Sequence, residues 1–419
     1  MSCQSNRSGL TLIELIVALT ILCIGMALVV PAVQRAREHA RSETCRNNLR
    51  EIGFALHAFA AADPNERFCR GAFDPQRDGS PDTYGWVADV IKIKGGNPNE
   101  LRCVANPVQG LAALNDLIEK DALELEECVP VVRQRAGRVG AGWPDITGKP
   151  TAAGSAARAD QVRRFVREGY NTNYSASWYL VRTGPLYRDL QNELAIDFDM
   201  FAPGFDMRDL GNSQGPLTRR SCEWSDAPTA NIPLLGDCAE STDAESGQSR
   251  SLMATGVVHL DRSTAGSGLG KSFCDGPCYW DGSKVALLRS YIKVSSTVPS
   301  IAPEVGDAVT PLTEAEYASV FPAGPLGHKL ILQDTRAWFS RHPGGTANLL
   351  MADGSVKILT DRNGDGYFNP GFPVDETIDK ETLRRTVGYT SAQCEIPAFE
   401  VWTSAMLDPS KLRRLGCEF

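Results

Sequence analysis

The sequence lacks an excess of basic residues, because its 43 Lys and Arg are outnumbered by 51 Asp and Glu, for a net charge of −8. A surface that binds nucleic acid needs clustered positive charge, so nucleic acid is not an expected partner. The sequence also lacks an internal repeat with a period of about 20–50 residues, which is the signature of solenoids and propellers. With 419 residues, the chain is long enough for one large or two medium domains beyond its amino-terminal segment.

Recognisable catalytic signatures are missing as well. His259, His328 and His342 have no nucleophile motif around them. The glycine-rich segment 266–270 has neither the order of a Gly-x-Ser-x-Gly elbow nor the lysine of a phosphate-binding loop. We therefore expect no enzymatic activity. We expect His342 to order its own turn through hydrogen bonds to the backbone, rather than to form an acid–base pair with Asp353.

A long apolar run is present near the amino terminus. From Leu10 to Val30 only Thr11, Glu14 and Thr20 are polar, and a helix of this length reaches about 31 Å, enough to cross a bilayer. The run is too long for a cleaved secretory signal, and no A-x-A-like site ends it. A carboxylate within such a segment is costly and therefore indicates a function for Glu14.

The segment Gly9-Leu10-Thr11-Leu12-Ile13-Glu14-Leu15 resembles the type IV prepilin signal. The resemblance implies that prepilin peptidase cuts after Gly9 and methylates the new terminus at Leu10. It also implies that Glu14 meets the terminal amine of a neighbouring pilin-like subunit during assembly. Opposite charges in a low dielectric attract strongly, and each is costly alone.

The charges that flank the span favour the opposite orientation. Arg7 precedes it, whereas Arg35, Arg37, Arg41, Arg46 and Arg50 follow it. The positive-inside rule alone would keep the carboxyl-terminal side in the cytoplasm. The prepilin resemblance implies that this side is exported from the cytoplasmic membrane, with a filament or the cell surface as its destination, and we adopt that orientation.

The twelve cysteines indicate disulfides in an exported domain. Cys3 lies in the leader, Cys23 in the span and Cys45 on the continuing helix, which leaves an odd set of nine. At least one of the nine therefore stays free or pairs outside the set. Cys274 and Cys278 are spaced to close a small loop, and disulfides are favoured over a metal centre because no second close pair accompanies them.

The pattern beyond the span predicts that the helix continues to residue 62, with a kink at Pro31. Leu49, Ile52, Leu56 and Phe59 recur at helical spacing and form an apolar stripe that needs a sheet or core to cover it. We predict a leader at 1–9, a helix at 10–62 whose transmembrane part is 10–30, and an exported globular part at 63–419. Residues 211–283 are rich in Gly, Ser, Asp and Cys and are predicted to be an inserted, loop-rich excursion.

A second strong pattern lies near residue 350. Residues 348–352 and 355–359 predict two strands around Asp353-Gly354, a pair that favours a type I′ turn. This segment, 338–360, resembles the H-x9-DG motif of the domain-of-unknown-function 1559 family, as does the helix around 31–57. The motif residues are His342, Gly344, Gly345, Asn348, Asp353 and Gly354. Ten residues rather than nine separate His342 from Asp353, and the extra residue is expected to form a bulge near Thr346.

The segment that follows matches the first half of a calcium loop. Asp361, Asn363 and Asp365 take the first three ligand positions, and Tyr367 offers a backbone carbonyl. The usual final Glu is replaced by Phe372, so Asp375, Glu376 or a carbonyl would have to complete the site. Ca2+ is therefore an expected cofactor, with a metal-free Asp/Asn/Gly turn as the alternative.

Together these patterns predict an α+β, pilin-like fold, in which a long amino-terminal helix packs on an antiparallel sheet with large loop-rich insertions. The predicted function is that of a prepilin-like structural subunit of a type IV pilus-like or type II secretion-like (pseudopilin) filament. The alternative is a membrane-anchored exported module that binds a glycan or protein ligand. The expected partners are prepilin peptidase, other pilin-like subunits and the membrane.

Overall fold

The computed structural model describes residues 12–120, 129–185, 187–190, 193–196, 207–225, 227–241, 268–280, 284–287, 292–293, 331–397, 399–404 and 406–407. The predicted processing residues Gly9 and Leu10 lie outside this range. The described residues form one long helix, three antiparallel sheets and several short helices.

The amino-terminal helix α1 runs from Leu12 to Ala62, a length of 51 residues, and ends at the predicted residue. Residues 12–41 are exposed along their whole length and are called the protruding half here. The embedded half runs from Cys45, the first buried residue of α1, to Ala62. Leu49, Ile52, Leu56 and Phe59 are all buried, so the predicted apolar stripe is confirmed. Pro64 follows the helix, and its ring leaves no N–H to continue the hydrogen-bond ladder.

The embedded half packs against a four-stranded antiparallel sheet. The strands are β1 (Tyr174–Ala176), β4 (Pro233–Asp237), β9 (Thr346–Met351) and β10 (Val356–Thr360), in the order β1-β4-β9-β10. Gly53 permits the close approach of α1 to β9, because a Cβ there would lie 2.9 Å from Leu350 Cδ1. The predicted α+β fold, with the long helix on an antiparallel sheet, is confirmed.

Two smaller sheets and eight shorter helices complete the described chain. One sheet contains β2 (Tyr187–Leu190), β3 (Glu193–Ile196) and β7 (Ile292–Lys293), and the other contains β5 (Pro277–Trp280), β6 (Val285–Leu287) and β8 (Ile331–Gln333). The helices are α2 (Trp86–Lys92), α3 (Ala113–Glu119), α4 (Val131–Gln134), α5 (Gly137–Gly140), α6 (Ala156–Arg167), α7 (Trp178–Arg182), α8 (Arg219–Glu223) and α9 (Lys380–Thr386).

The predicted excursion at 211–283 is wrong in one part. Residues 233–237 form β4, which is a central strand of the main sheet and pairs with both β1 and β9. Composition concealed this strand, because Gly and Asp are depleted in strands generally and both occur in this short one. All five residues are buried, so packing decides the structure here.

The hairpin near residue 350 is confirmed, but two of its predicted details are wrong. Asp353 is not in the left-handed region that a type I′ turn requires, and only Gly354 adopts it, with φ of +85°. The loop therefore spans 352–355 and places its left-handed residue where no Cβ is strained. β9 and β10 pair in continuous register, and the irregularity lies instead on β4, between Pro233 and Leu235.

Candidate functional site

The protruding half of α1 is the first candidate site. It includes a helix segment long and apolar enough to cross a membrane, and that segment is not buried within the protein. Large apolar side chains such as Leu12, Ile21, Ile24 and Leu28 are exposed, and water is a poor solvent for a surface of this kind. Glu14 lies in the first turn of α1. Lipid or the helices of other chains would cover this surface.

The motif histidine, His342, lies in a buried polar cluster at the end of the main sheet. Its Nε2 atom is 3.0 Å from Asp237 Oδ2 and 2.8 Å from the side-chain amide of Asn348. The backbone N–H of Asn348 also donates to Asp237 Oδ2, at 2.8 Å. The side chain of His342 is therefore held by other side chains, and the predicted hydrogen bonds from it to its own turn are wrong. The backbone of His342 alone pairs within that turn, with Thr346.

The charge of Asp237 determines how His342 is protonated. Burial lowers the pKa of His342, but the hydrogen bond and negative charge of Asp237 outweigh it and place the pKa above its ordinary value. A proton on Nε2 then points at Asp237. Because the same nitrogen cannot also accept a hydrogen bond, Asn348 must present its amide oxygen rather than its NH2 group to it.

Two cysteines adjoin this cluster. Cys45 Sγ lies 2.7 Å from Cys103 Sγ, and Cys103 Sγ lies 3.6 Å from His342 Nε2. Cys45, Cys103 and His342 have the residue types and proximity of a metal-binding group. The hydrogen bond between the two sulfurs lowers the pKa of Cys45, whereas burial raises the pKa of Cys103.

The remaining motif residues have backbone roles. Gly344 and Gly345 adopt φ of +79° and +69°, a conformation that favours glycine. The carbonyl of Gly345 accepts a hydrogen bond from the N–H of Asp361 at 2.7 Å. This bond joins the turn at residues 342–346 to the loop at residues 361–367, which is called the acidic loop here. Asp353 is exposed and accepts hydrogen bonds from Ser355. The motif's Asp and His are thus not brought together, and the acid–base pair they would form is excluded.

The acidic loop brings two of the predicted calcium ligands together with a third carboxylate. Asp361, Asp365 and Glu395 place one oxygen each within 4.8 Å of one another. Asn363 adjoins them, but its Oδ1 accepts from the N–H of Asp365 at 2.9 Å. The N–H of Tyr367 donates to Asp365 Oδ1 at 2.8 Å.

The third carboxylate is not one that the sequence suggested. Asp375 accepts hydrogen bonds from Thr377, and Glu376 accepts them from Ser391 and Ala392. Glu395 instead lies beneath the loop and accepts from the N–H groups of Arg362 and Asn369 at 2.6 and 3.0 Å. Burial, followed by the charges of the neighbouring aspartates, raises the pKa of Glu395 to about 7.

A small cavity, with room for about one water molecule, lies between the main sheet and residues 402–403. Trp178, Tyr179, Gln333, Trp338 and Trp402 are among its lining residues. It is smaller than the about 300–1,000 Å³ of most small-molecule sites. The aromatic residues Tyr174, Trp178 and Tyr179, which line or adjoin it, are buried in the hydrophobic core.

Sequence reasoning missed Asp237, the Cys45–Cys103 contact and Glu395. Each lies far along the chain from its partners, with a sequence separation of 105 positions for His342 and Asp237 and of 58 for Cys45 and Cys103. A polar residue at the end of an apolar strand, as in Leu234-Leu235-Gly236-Asp237, was the one available signal.

Two family models match the chain. One, described as the prokaryotic N-terminal methylation motif, matches residues 4–30, and the other, described as Protein of unknown function (DUF1559), matches residues 34–92 and 234–366. Both agree with the resemblance found in the sequence. The matched segments contain Cys45, Asp237 and His342, whereas Cys103 and Glu395 lie outside them. No curated protein and no solved structure matches the chain.

Proposed function

With a prepilin-type methylation motif and DUF1559 segments in one chain, we propose that the protein is a prepilin-like structural subunit. Prepilin peptidase cleaves it after Gly9 and methylates Leu10. The mature subunit then assembles through α1 into a type IV pilus-like or type II secretion-like filament.

The protruding half of α1 carries this proposal. Thirty residues, 12–41, form a continuous helix with exposed side chains, which corresponds to about 45 Å of rod. Its first part, residues 12–30, is apolar except for Glu14 and Thr20, and a helix segment of this kind needs lipid or other helices around it. A membrane covers it before assembly, and neighbouring copies of α1 cover it afterwards.

Glu14 supplies the register of assembly. It lies within the apolar segment, where burying a carboxylate in lipid is expensive. After cleavage each subunit has a charged amine at Leu10, four positions before Glu14. The carboxylate of one subunit and the amine of the next then neutralise each other, which favours one axial step between subunits.

The proposed location is the cytoplasmic membrane, with a single span and an exported globular part. The arginines after the span oppose this orientation by the positive-inside rule. They lie on α1 among acids, and Arg46 forms an ion pair with Glu43 at 2.6 Å. This pairing supports reading them as part of a solvated helix face.

The matched pair Glu14→Val and Glu38→Gln tests the proposal. Glu14→Val should be cleaved yet fail to enter filaments, whereas Glu38→Gln, on the same helix beyond the span, should assemble normally. Gly9→Val should abolish cleavage and leave the mass of the precursor unchanged. Filaments that contain Glu14→Val at the wild-type level would refute the assembly role of Glu14.

A membrane-anchored binding module is the second candidate. The DUF1559 match leaves out residues 93–233, a stretch large enough to carry recognition of a glycan or a protein. In that case the chain would remain in the membrane fraction without filaments, and soluble glycan or protein ligands would bind the intact protein.

We further propose that the acidic loop binds Ca2+ through Asp361, Asp365 and Glu395. Calcium prefers oxygen ligands, and the group contains three carboxylates, two of them buried. The raised pKa of Glu395 reflects the cost of ionising it there without a cation. The role of the ion would be to hold the carboxyl-terminal segment against the hairpin through Gly345 and Asp361.

Calorimetric titration of the full chain with CaCl2 tests the metal site. Glu395→Gln should weaken binding at least tenfold. Glu376→Gln is the matched control, because this carboxylate bonds to Ser391 instead, and it should bind as the wild type does. Equal affinity of wild type and Glu395→Gln would refute Glu395 as a ligand.

A further inference from the structure

The contact between Cys45 and Cys103 is too short for two separate sulfur atoms. Their Sγ atoms are 2.7 Å apart, whereas even two carbon atoms, which are smaller than sulfur, make their best contact at about 3.5–4.0 Å. Both side chains are enclosed, with exposed fractions of 0% and 2%. The two sulfurs therefore face each other in a space that fits a bonded pair.

The same distance disfavours a metal ion shared by the two sulfurs. Sulfurs bound to a tetrahedral zinc at about 2.3 Å lie about 3.8 Å from each other, which is well above the observed 2.7 Å. A disulfide has its sulfurs at about 2.05 Å, so the pair needs only a small approach to form one. His342, the third member of the group, already has Asp237 and Asn348 as partners.

We propose that Cys45 and Cys103 form a disulfide in the mature protein, and that this bond fastens α1 to the globular part. The proposal rests on export of the globular part, since disulfides persist in oxidising compartments. The structure represents the reduced pair. In the oxidation the two S–H bonds break, one S–S bond forms, and two electrons pass to the disulfide of an extracytoplasmic thiol oxidase. That disulfide takes up two protons and leaves as two thiols.

The disulfide would connect α1 to the main sheet through Cys103 and the side chain of Asn173. The N–H of Cys103 donates to Asn173 Oδ1 at 2.8 Å, and Asn173 Nδ2 donates to the carbonyl of Cys103 at 2.9 Å. Asn173 directly precedes β1, whose first residue is Tyr174. The Tyr174 hydroxyl in turn donates to the carbonyl of Cys45, at 3.4 Å. The bond therefore reinforces contacts that already hold the helix to the sheet.

Its place along the helix gives the bond its function. Cys45 is the first buried residue of α1, so it marks the junction between the protruding and embedded halves. A force on the protruding half, in a filament or a membrane, would begin to peel the embedded half away at this residue. A covalent bond here stops the peeling at its first step.

Mass spectrometry of the full chain from its membrane fraction tests the proposal. Free thiols are blocked with N-ethylmaleimide before trypsin digestion without reductant. The expected product joins peptide 42–46 (SETCR) to peptide 103–120, each of which has one cysteine. Its mass is two hydrogen atoms below the sum of the two peptides. After reduction the two peptides should separate.

Substitutions distinguish a bond from ordinary packing. Cys45→Ser, Cys103→Ser and the double variant should all lower the Tm by the same amount, about 5–15 °C, because one bond is lost in each case. Reductant should lower the wild-type Tm by a similar amount and leave the variants unchanged. Cys69→Ser is the matched control, since Cys69 is a buried thiol that contacts the carbonyl of Leu180, and it should retain the sensitivity to reductant.

Four other outcomes would overturn either the disulfide or the export on which it rests. If both thiols are blocked in cells but the purified protein forms the same linked peptide with diamide, the pairing stands and export fails. If diamide does not link them, or if the purified chain contains one zinc that protects both thiols, the disulfide is refuted. Additive losses of Tm in the two single variants would also refute it.

Discussion

The protruding and embedded halves of α1 present apolar side chains to opposite surroundings. The protruding half exposes side chains on every face. The embedded half exposes one face, with residues such as Glu51, Phe54 and Ala58, and buries the opposite face. Exposure at a spacing of three and four residues is typical of a helix that packs on one side. The comparison shows that one continuous helix lies in two different surroundings, and that the change from exposed to buried side chains occurs near Cys45.

Replacing one leucine by alanine in each half should give the largest difference in the free energy of unfolding. Leu49→Ala should lower the free energy of unfolding of the globular part by about 2–5 kcal/mol, because it leaves a cavity between α1 and the sheet. Leu22→Ala should leave that free energy unchanged, since Leu22 is 57% exposed. Tryptophan fluorescence during denaturation in detergent measures this, because all seven tryptophans lie beyond residue 63. Equal losses in the two variants would contradict the division of the helix.

The second largest difference should be in the pH dependence of stability, which we expect to arise at the acidic loop and not at the protruding half of α1. The folded-state pKa of Glu395 is raised from 4.5 to about 7, so the folded protein holds this proton more tightly than the unfolded chain does. Protonated Glu395 therefore contributes to the free energy of unfolding. Without calcium this contribution is about 3 kcal/mol; it is fully present below pH 4.5 and is lost as pH rises through about 7. Denaturant midpoints across this range, in a calcium chelator, measure the slope.

Glu395→Gln should flatten that slope, and saturating Ca2+ should do the same in the wild type. Glu38→Gln, which changes an exposed acid of the protruding half, should keep it. A slope that persists in Glu395→Gln would assign the pH dependence to another group.

The smallest difference in stability between the two halves of α1 should come from substitution of one glycine in each half. Gly53→Ala should be about 1 kcal/mol less favourable than Gly25→Ala, because both substitutions gain helix propensity but the new Cβ at residue 53 would lie 2.9 Å from Leu350 Cδ1, which must shift. Gly25→Ala meets nothing within 4 Å and should not reduce stability. Thermal unfolding of both variants measures this, and a loss at Gly25 equal to that at Gly53 would show that the protruding half is also packed within the chain.

Local patterns in the sequence were sufficient for α1 and the hairpin. The limits of α1 follow from apolar spacing and from Pro64, and the buried stripe from Leu49 to Phe59 follows from the helical period. The hairpin follows from its two apolar runs around Asp353-Gly354. Its turn type does not, because a Cβ at Asp353 disfavours the left-handed conformation and glycine alone adopts it here.

The buried cluster and the third acid of the loop depend on topology instead. β4 brings Asp237 beside His342, although it lies in a segment whose composition indicated a loop. Glu395 reaches Asp361 and Asp365 from beyond α9, so the ligand spacing of a continuous calcium loop could not reveal it. Cysteine pairing has the same limitation, because twelve cysteines allow very many combinations.

Intact mass and amino-terminal sequencing of the chain from its own membrane fraction test the central claim most directly. The account predicts a mature chain that begins at N-methylated Leu10, with the mass of residues 1–9 absent. A chain that still carries residues 1–9 would contradict processing and filament assembly, and would leave the protein as an anchored module.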